Sequence, residues 1–241
     1  MEGSALQVLQ TFFHALLFVA LALFPIVNPL GMAPIFLSFT AGVEDRVRAR
    51  LARRIAYNSF VLATASLLVG SYLLRFFGLS LPAVQIGGGL VVAVTGWRLL
   101  SRGAETEERR APAPSAEAVM ASAFYPLTMP LTVGPGSIAV MLTIGSSAPK
   151  ALSDPATALL GAAGGLAGVA VVALSIYASY RYADRILRRL GQSGINALLR
   201  LSAFILLCLG VQIILNGYSA FVAGVTSKGL CQGEEGRDSL A

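Results

Sequence analysis

Apolar residues occur along this chain in six long runs, and short polar segments separate one run from the next. A helix needs roughly 20 apolar residues to cross a hydrocarbon core about 30 Å thick, and each run reaches about that length. The pattern therefore predicts an all-helical (all-α) membrane protein with six transmembrane helices. The predicted spans are residues 6–39, 55–77, 82–100, 118–147, 155–180 and 195–223.

The first and fourth runs are longer than a span requires, and proline and glycine interrupt both of them. Residues 25–34 read Pro-Ile-Val-Asn-Pro-Leu-Gly-Met-Ala-Pro, and residues 126–137 read Pro-Leu-Thr-Met-Pro-Leu-Thr-Val-Gly-Pro-Gly-Ser. Proline removes a backbone donor and clashes with the carbonyl group four residues earlier, so closely spaced prolines unwind a helix. We therefore expect helices 1 and 4 to be discontinuous; a packing kink is the alternative interpretation.

The two interruptions occupy equivalent positions when the six spans are divided into two sets of three. An odd number of crossings gives the two halves opposite orientations, which is the inverted-repeat arrangement of many secondary transporters. The predicted organisation is a first repeat at 1–101, a cytoplasmic linker at 102–116, a second repeat at 117–224 and a polar tail at 225–241. In such transporters the substrate site lies near the bilayer midplane, at the discontinuous helices.

Composition and charge agree with a membrane location. Hydrophobic residues make up 56% of the chain and charged residues 12%, whereas soluble domains carry roughly 25% charged residues. A soluble enzyme and a nucleic-acid-binding protein are therefore not expected. Of the 18 basic residues, 14 fall in or beside the first, third and fifth loops. The positive-inside rule predicts that these arginine-rich loops are cytoplasmic and that both termini lie outside.

The apolar runs hold little ionisable chemistry. Asp and Glu lie outside the runs or at their ends, and we find no catalytic pair and no metal-ligand spacing in a span. An enzyme, a metal site and a cofactor are therefore not predicted. His14, the one histidine, is interpreted either as hydrogen-bonded to a neighbouring span or as a proton relay. Gln212 and Asn216 lie one turn apart, where they would line a cavity or bond another helix.

Without charged side chains, a binding site at the interruptions has to use backbone groups. The start of a half-helix presents free N–H groups and the positive end of a dipole, which suits a carboxylate, and unwound carbonyl groups suit an ammonium group. A small zwitterion with an uncharged side chain would therefore fit. The predicted substrate-binding residues are Asn28, Pro29, Leu30, Gly31, Thr132, Gly134, Gly136 and Ser137.

The interrupted motifs also resemble those of a known family. Residues 28–31 (Asn-Pro-Leu-Gly) and 34–37 (Pro-Ile-Phe-Leu) resemble the first signature of the MarC family of bacterial integral membrane proteins, and residues 126–138 resemble its second. Gln212 and Asn216 are similar to part of its C-terminal pattern. The resemblance implies six spans in a bacterial inner membrane and a relation to amino-acid exporters, among which are transporters of small neutral amino acids.

We therefore expect a secondary transporter, either a permease or an exporter, for small neutral amino acids such as glycine, alanine, serine or threonine. Its partners would be the zwitterionic substrate, the lipid bilayer and a coupling Na⁺ or H⁺, while the oligomeric state stays open. A passive channel is the first alternative, because broken helices also line pores. A structural or regulatory membrane protein without transport is the second.

Overall fold

The computed structural model describes residues 2–101, 115–147 and 155–238, which form helices joined by short turns, without a strand in these ranges. A π-helical segment, Ala123–Thr132, is called the π segment below. The α-helices are, in chain order, α1 (Glu2–Val27), α2 (Pro29–Phe39), α3 (Asp45–Phe76), α4 (Leu81–Ser101), α5 (Ala116–Ala121), α6 (Pro135–Ser147), α7 (Pro155–Arg181) and α8 (Ala183–Asp238).

Several of these helices are long and apolar enough to cross a membrane. The π segment and α6 together would make one bent span. The second predicted span, 55–77, lies within α3 except for its last residue and is not among the candidates. The described part of the chain is therefore all-helical with four or five candidate spans. The four continuous ones are Leu9–Val27, Leu81–Ser101, Thr157–Arg181 and Ser193–Gly224.

The last helix extends beyond the sixth predicted span, 195–223. α8 bends at Gly191 and continues to Asp238, so most of the predicted tail 225–241 is helical. Gly191 has φ 64° and ψ 175°, a backbone conformation that is essentially restricted to glycine. The predicted linker 102–116 lies outside the described residues, apart from its last two positions.

The first interruption is a break of one residue between α1 and α2. Asn28 has φ 46° and ψ 57°, in the left-handed region, which asparagine tolerates better than most residues other than glycine. Pro29 follows at the first position of α2, where its missing N–H costs little because that group has no intrahelical acceptor. The sequence Asn-Pro therefore ends one helix and starts the next.

The second interruption is longer and lies around the π segment. Tyr125 (φ −121°, ψ 126°) and Met129 (φ −118°, ψ 122°) have extended backbones inside it. Each precedes a proline, whose ring disfavours the helical conformation of the residue before it. The π segment and α6 are bent by 69° where they meet. The structure thus interrupts the chain at both of the sites that the prolines mark.

The helices on either side of the breaks pack in a crossed arrangement. α4 lies along α8, and α1 lies along α7. α2 packs against α7 and α8, whereas α6 packs against α3 and α4. A Cβ at Gly89 of α4 would lie 2.7 Å from the Gly210 carbonyl oxygen of α8, so small residues let these two helices meet backbone to backbone.

Arg48 fixes the turn that follows α2. Its guanidinium donates hydrogen bonds to the carbonyl oxygens of Thr40 (3.1 Å) and Val43 (3.3 Å) and forms an ion pair with Asp45 at 3.0 Å. A cation near the end of a helix also interacts favourably with its negative dipole end. The C-terminal end of α2 is therefore anchored to the start of α3.

Candidate functional site

A small cavity of about 10 Å³ lies between the two interruptions. Its lining includes Val27, the last residue of α1, together with Val133 and Ser137 from the second interruption. α3 contributes Ser59 and Ala63, and α7 contributes apolar side chains. Both interruptions therefore border one space, which has room for about one water molecule.

Two serine hydroxyls supply the polar side-chain groups of this cavity. Ser59 is 2% exposed, and its Oγ atom has no hydrogen-bond partner among the described residues. Ser137, at the start of α6, is 3% exposed. A buried hydroxyl without a partner raises the free energy of the folded state, and a water molecule or a polar ligand in the cavity would lower it again.

Sequence reasoning missed Ser59. The apolar run 55–77 also contains Asn58, Thr64 and Ser66, so one serine among them carries no distinguishing signal. The polar residues of a mostly apolar helix show their role only when the packing reveals which of them face inward. Ser59 faces the cavity, whereas the Ser66 hydroxyl donates to the Leu62 carbonyl of its own helix at 2.8 Å.

The Asn28 side chain caps α2 at the first interruption. Its Oδ1 atom accepts a hydrogen bond from the Gly31 N–H at 3.2 Å, and this bond assigns the orientation of the amide. The Nδ2 atom is buried and has no partner within the described residues. The first interruption therefore presents an unused N–H donor, the type of group that binds an anionic oxygen.

Because Gly31 has no side chain, Asn28 and α8 can pack against its backbone. A Cβ at Gly31 would lie 2.7 Å from both Asn28 Oδ1 and Ser202 Oγ, and Ser202 is buried on α8. The Gly31 N–H was predicted from the sequence to bind a substrate, but it donates to Asn28 Oδ1 instead. Of the two neighbouring residues, Pro29 is buried and Leu30 is 40% exposed.

Thr132 links the second interruption to the rest of the fold. Its hydroxyl donates to the Leu127 carbonyl oxygen at 2.6 Å and lies 2.9 Å from the Tyr180 hydroxyl, which then donates to it. The Tyr180 ring in turn stacks on Phe36 of α2, with ring centroids 4.4 Å apart. Thr132 thus holds the π segment against α7 and does not line the cavity.

The two predicted glycines of the second interruption have different surroundings. A Cβ at Gly136 would overlap the Val92 side chain and lie 3.4 Å from the Gly88 carbonyl oxygen, so the packing of α6 on α4 requires a glycine there. A Cβ at Gly134 would meet the Pro130 carbonyl oxygen at 3.0 Å, and Gly134 is half-buried. The backbone at Gly134 is therefore the more accessible of the two.

Of the predicted site residues, Ser137 is the one that lines this cavity, and three of the others are exposed on the outside of α1 and α8. His14 is exposed on α1, and Gln212 and Asn216 are exposed on α8, where the Gln212 Nε2 atom donates to Asn216 Oδ1 at 2.9 Å. The structure does not bring them together with Asn28 and Ser137. Within the described ranges, no group of three His, Cys, Asp or Glu side chains could hold a metal ion.

Comparisons with known proteins place the sequence of this chain in a family. A family model described as MarC family integral membrane protein matches residues 13–222. The chain is 32% identical over 200 residues to the inner membrane protein MarC of Citrobacter koseri, a match that covers 81% of this chain and 90% of that protein. Identity and coverage are the same for the inner membrane protein MarC of Escherichia coli strain K12 and of Shigella flexneri. No solved structure gives a significant match.

Proposed function

This chain belongs to the MarC family of integral membrane proteins, and from that premise we propose that it is a secondary transporter of small neutral amino acids such as glycine, alanine, serine and threonine. It is an inner-membrane protein with several apolar helices, and the relatives named above carry no enzyme's name. The observation that carries the proposal is the small cavity that both helix interruptions border.

The proposed architecture has six spans in two inverted repeats, residues 1–101 and 117–224, with the arginine-rich loops in the cytoplasm and both termini outside. The crossed packing supports this arrangement. When the two halves are exchanged, the contacts of α2 with α7 and α8 become the contacts of α6 with α3 and α4. In transporters built from inverted repeats, paired discontinuous helices form the substrate site.

The carboxylate of the substrate is proposed to lie at the start of α6, against the N–H groups of Gly134, Gly136 and Ser137. The first N–H groups of a helix lack intrahelical acceptors, and the helix dipole adds partial positive charge there. The Asn28 Nδ2 atom is an additional donor. It has no partner in the described structure, whereas the Oδ1 atom of the same side chain accepts from the Gly31 N–H.

The ammonium group is proposed to meet carbonyl oxygens at the first interruption. Pro29 has no N–H, so the Pro25 carbonyl oxygen four residues earlier lacks its usual helical donor. The Ser59 hydroxyl, unpartnered in the described structure, is a further acceptor. The cavity lining contains no charged residue, which favours a substrate whose own charges cancel. Leu30 and Thr132 lie outside the cavity lining and are not proposed to bind the charged groups.

The described conformation is closed to a substrate. A cavity of about 10 Å³ holds about one water molecule, so every amino acid requires the helices around it to separate. Closure around a central site is the behaviour that an alternating-access carrier requires, whereas a passive channel needs a continuous opening. A carrier would therefore have to open this cavity in order to bind its substrate.

Transport assays with purified protein in liposomes test the proposal. Uptake of labelled alanine should saturate and should rise when the vesicles are preloaded with unlabelled alanine. Ser59→Ala should raise KM about ten- to a hundredfold, because a hydrogen bond to the charged ammonium group is worth about 1.5–3 kcal/mol. Thr143→Ala is the matched control, since that hydroxyl donates to the Ala139 carbonyl of its own helix at 2.8 Å.

The same vesicles distinguish the alternatives. Imposed Na⁺ or pH gradients identify the coupling ion, because only the coupled gradient drives accumulation above equilibrium. Flux that grows linearly with alanine concentration would establish a channel instead. No flux, together with no thermal stabilisation by any of the 20 common amino acids, would contradict transport and leave a structural or regulatory role.

A further inference from the structure

The outward face of α8 carries a polar pair inside an apolar span. Gln212 and Asn216 are exposed and lie within the candidate span Ser193–Gly224. At 1.5 Å per helical residue, Gln212 lies roughly 5 Å and Asn216 roughly 11 Å from the middle of that 32-residue span, inside a hydrocarbon core about 30 Å thick that is centred on it. Amide groups at this depth face hydrocarbon unless another protein surface covers them.

The hydrogen bond between these two side chains uses only part of their capacity. Gln212 Nε2 donates to Asn216 Oδ1 at 2.9 Å. A carboxamide has two N–H donors and one acceptor oxygen, so Gln212 Oε1 and Asn216 Nδ2 are left without a bond inside the described part of the chain. Unsatisfied amide groups are costly in hydrocarbon. The pair therefore indicates a polar partner at this face.

The same face has the residue spacing of a seam between two helices. Its members, called the α8 stripe, are exposed and follow one another at steps of four and three residues. They are Leu201, Ile205, Cys208, Gln212, Leu215 and Ser219. An average step of 3.5 residues keeps a stripe facing one partner helix, and a single polar residue in such a seam fixes its register.

The opposite face of α8 is already occupied within the chain. Ala203, Leu206 and Gly210 are buried, and α8 packs there along α4. A Cβ at Gly210 would overlap the Ala93 backbone of α4, so the inner contact leaves no space for rotation of the stripe toward the core. The α8 stripe is thus available to a partner outside the described chain.

We propose that the α8 stripe is the interface with a second copy of this chain, related by a twofold axis along the membrane normal. Copies inserted in the same orientation have parallel α8 helices, so each stripe residue meets its counterpart at the same depth. Carboxamides are self-complementary, because each has donors and an acceptor. The unused Gln212 oxygen of one copy accepts from an unused amide N–H of the other, which no acyl chain can do. This interface is independent of the transported substrate.

Cysteine cross-linking tests the contact directly. Cys208 lies on the stripe one turn before Gln212 and is exposed; Cys231→Ser leaves it as the single thiol of the chain. Oxidation of membranes containing this variant should give a covalent dimer, because facing positions of a parallel seam lie near disulfide distance. The matched control carries Cys208→Ser, Cys231→Ser and Leu174→Cys, which moves the thiol to an exposed position of α7 and should give no dimer.

Dissociation of the dimer is the second measurement. The double variant Gln212→Leu, Asn216→Leu replaces two side-chain amides that, within the described residues, form a hydrogen bond only with each other. This variant should therefore still fold. Its dimer dissociation constant in a lipid bilayer should be at least tenfold higher than that of the wild type. A monomeric wild type, equal cross-linking through Leu174→Cys, or an unchanged dissociation constant would each overturn the proposal. A wild type that stays monomeric and binds a lipid headgroup through Gln212 and Asn216 would also overturn the proposal.

Discussion

Replacement of Asn28 by glycine and by alanine should separate the stability of the first helix break from the binding of substrate. Asn28 has φ 46°, caps α2 through a 3.2 Å hydrogen bond from Gly31, and leaves its Nδ2 donor unpartnered. Both replacements remove the Nδ2 donor. Glycine adopts the left-handed conformation without strain, whereas alanine does not, so the two variants should differ in stability and agree in affinity.

The expected magnitudes follow from these contacts. Glycine is a tolerable N-cap residue, and Asn28→Gly should cost about 0.5 kcal/mol or less in the free energy of unfolding. Asn28→Ala should cost about 1 kcal/mol for the lost cap and about 1–2 kcal/mol for the left-handed backbone. Loss of a hydrogen bond to the substrate carboxylate is worth about 1.5–3 kcal/mol, so both variants should bind alanine about ten- to a hundredfold more weakly.

Two assays on the same purified variants check this pair of expectations. Loss of helical circular dichroism in a denaturing detergent series gives the free energy of unfolding, and calorimetry gives the dissociation constant for alanine. An Asn28→Gly variant that binds alanine as tightly as the wild type would refute the role of Nδ2. The role of Nδ2 would also be refuted if the affinity for alanine fell in proportion to the free energy of unfolding across the two variants. Binding would then depend on the stability of the helix break and not on the lost donor.

Two further predictions concern residues at and away from the cavity. Thr132→Val should lower the free energy of unfolding by about 1–3 kcal/mol, because the buried Tyr180 hydroxyl loses its partner. Adding Tyr180→Phe to that variant should lower it almost no further. If the two substitutions were additive in a double-mutant cycle, the hydrogen bond between Thr132 and Tyr180 would be contradicted. His14→Gln should leave the pH profile of alanine uptake unchanged, because the imidazole is exposed on α1 and lies roughly 21 Å along the helix axis from Asn28; a flattened profile would instead establish His14 as the proton relay.

The sequence was sufficient to predict the helical class and both interruptions, because the relevant signals are local. Proline acts on the residue before it and on the carbonyl four residues back, which marks the breaks at Asn28 and at Met129 without tertiary information. The different lengths of the two breaks were not predictable from such local signals. The contacts at the π segment include residues far away in the chain, such as Tyr180, which bonds Thr132 from 48 residues away.

The inward and outward faces of the helices were beyond sequence reasoning. A helix that is apolar all round has no polar face that marks its outside, so the sequence alone did not show that Ser59 faces the cavity or that Gln212 faces outward. The Asn28 amide shows the same limit. Its residue type predicted a polar contact, but only the structure shows that its oxygen accepts from Gly31 while its buried Nδ2 atom has no partner in the described residues.

The crossed packing determines which parts of this molecule can move as rigid bodies. α4 and α8 meet backbone to backbone at Gly89 and Gly210, and α1 and α7 meet in the same way at Gly164, where a Cβ would overlap the Phe12 carbonyl oxygen. Sliding along either seam would place a residue with a side chain where the packing has room only for glycine, so we expect each pair to move as one block. Each block contains one helix from each half of the chain. In the proposed transporter, an opening of the cavity that keeps both seams would therefore move helices from both halves of the chain together, whereas a rocking of residues 1–101 against residues 117–224 would break both seams.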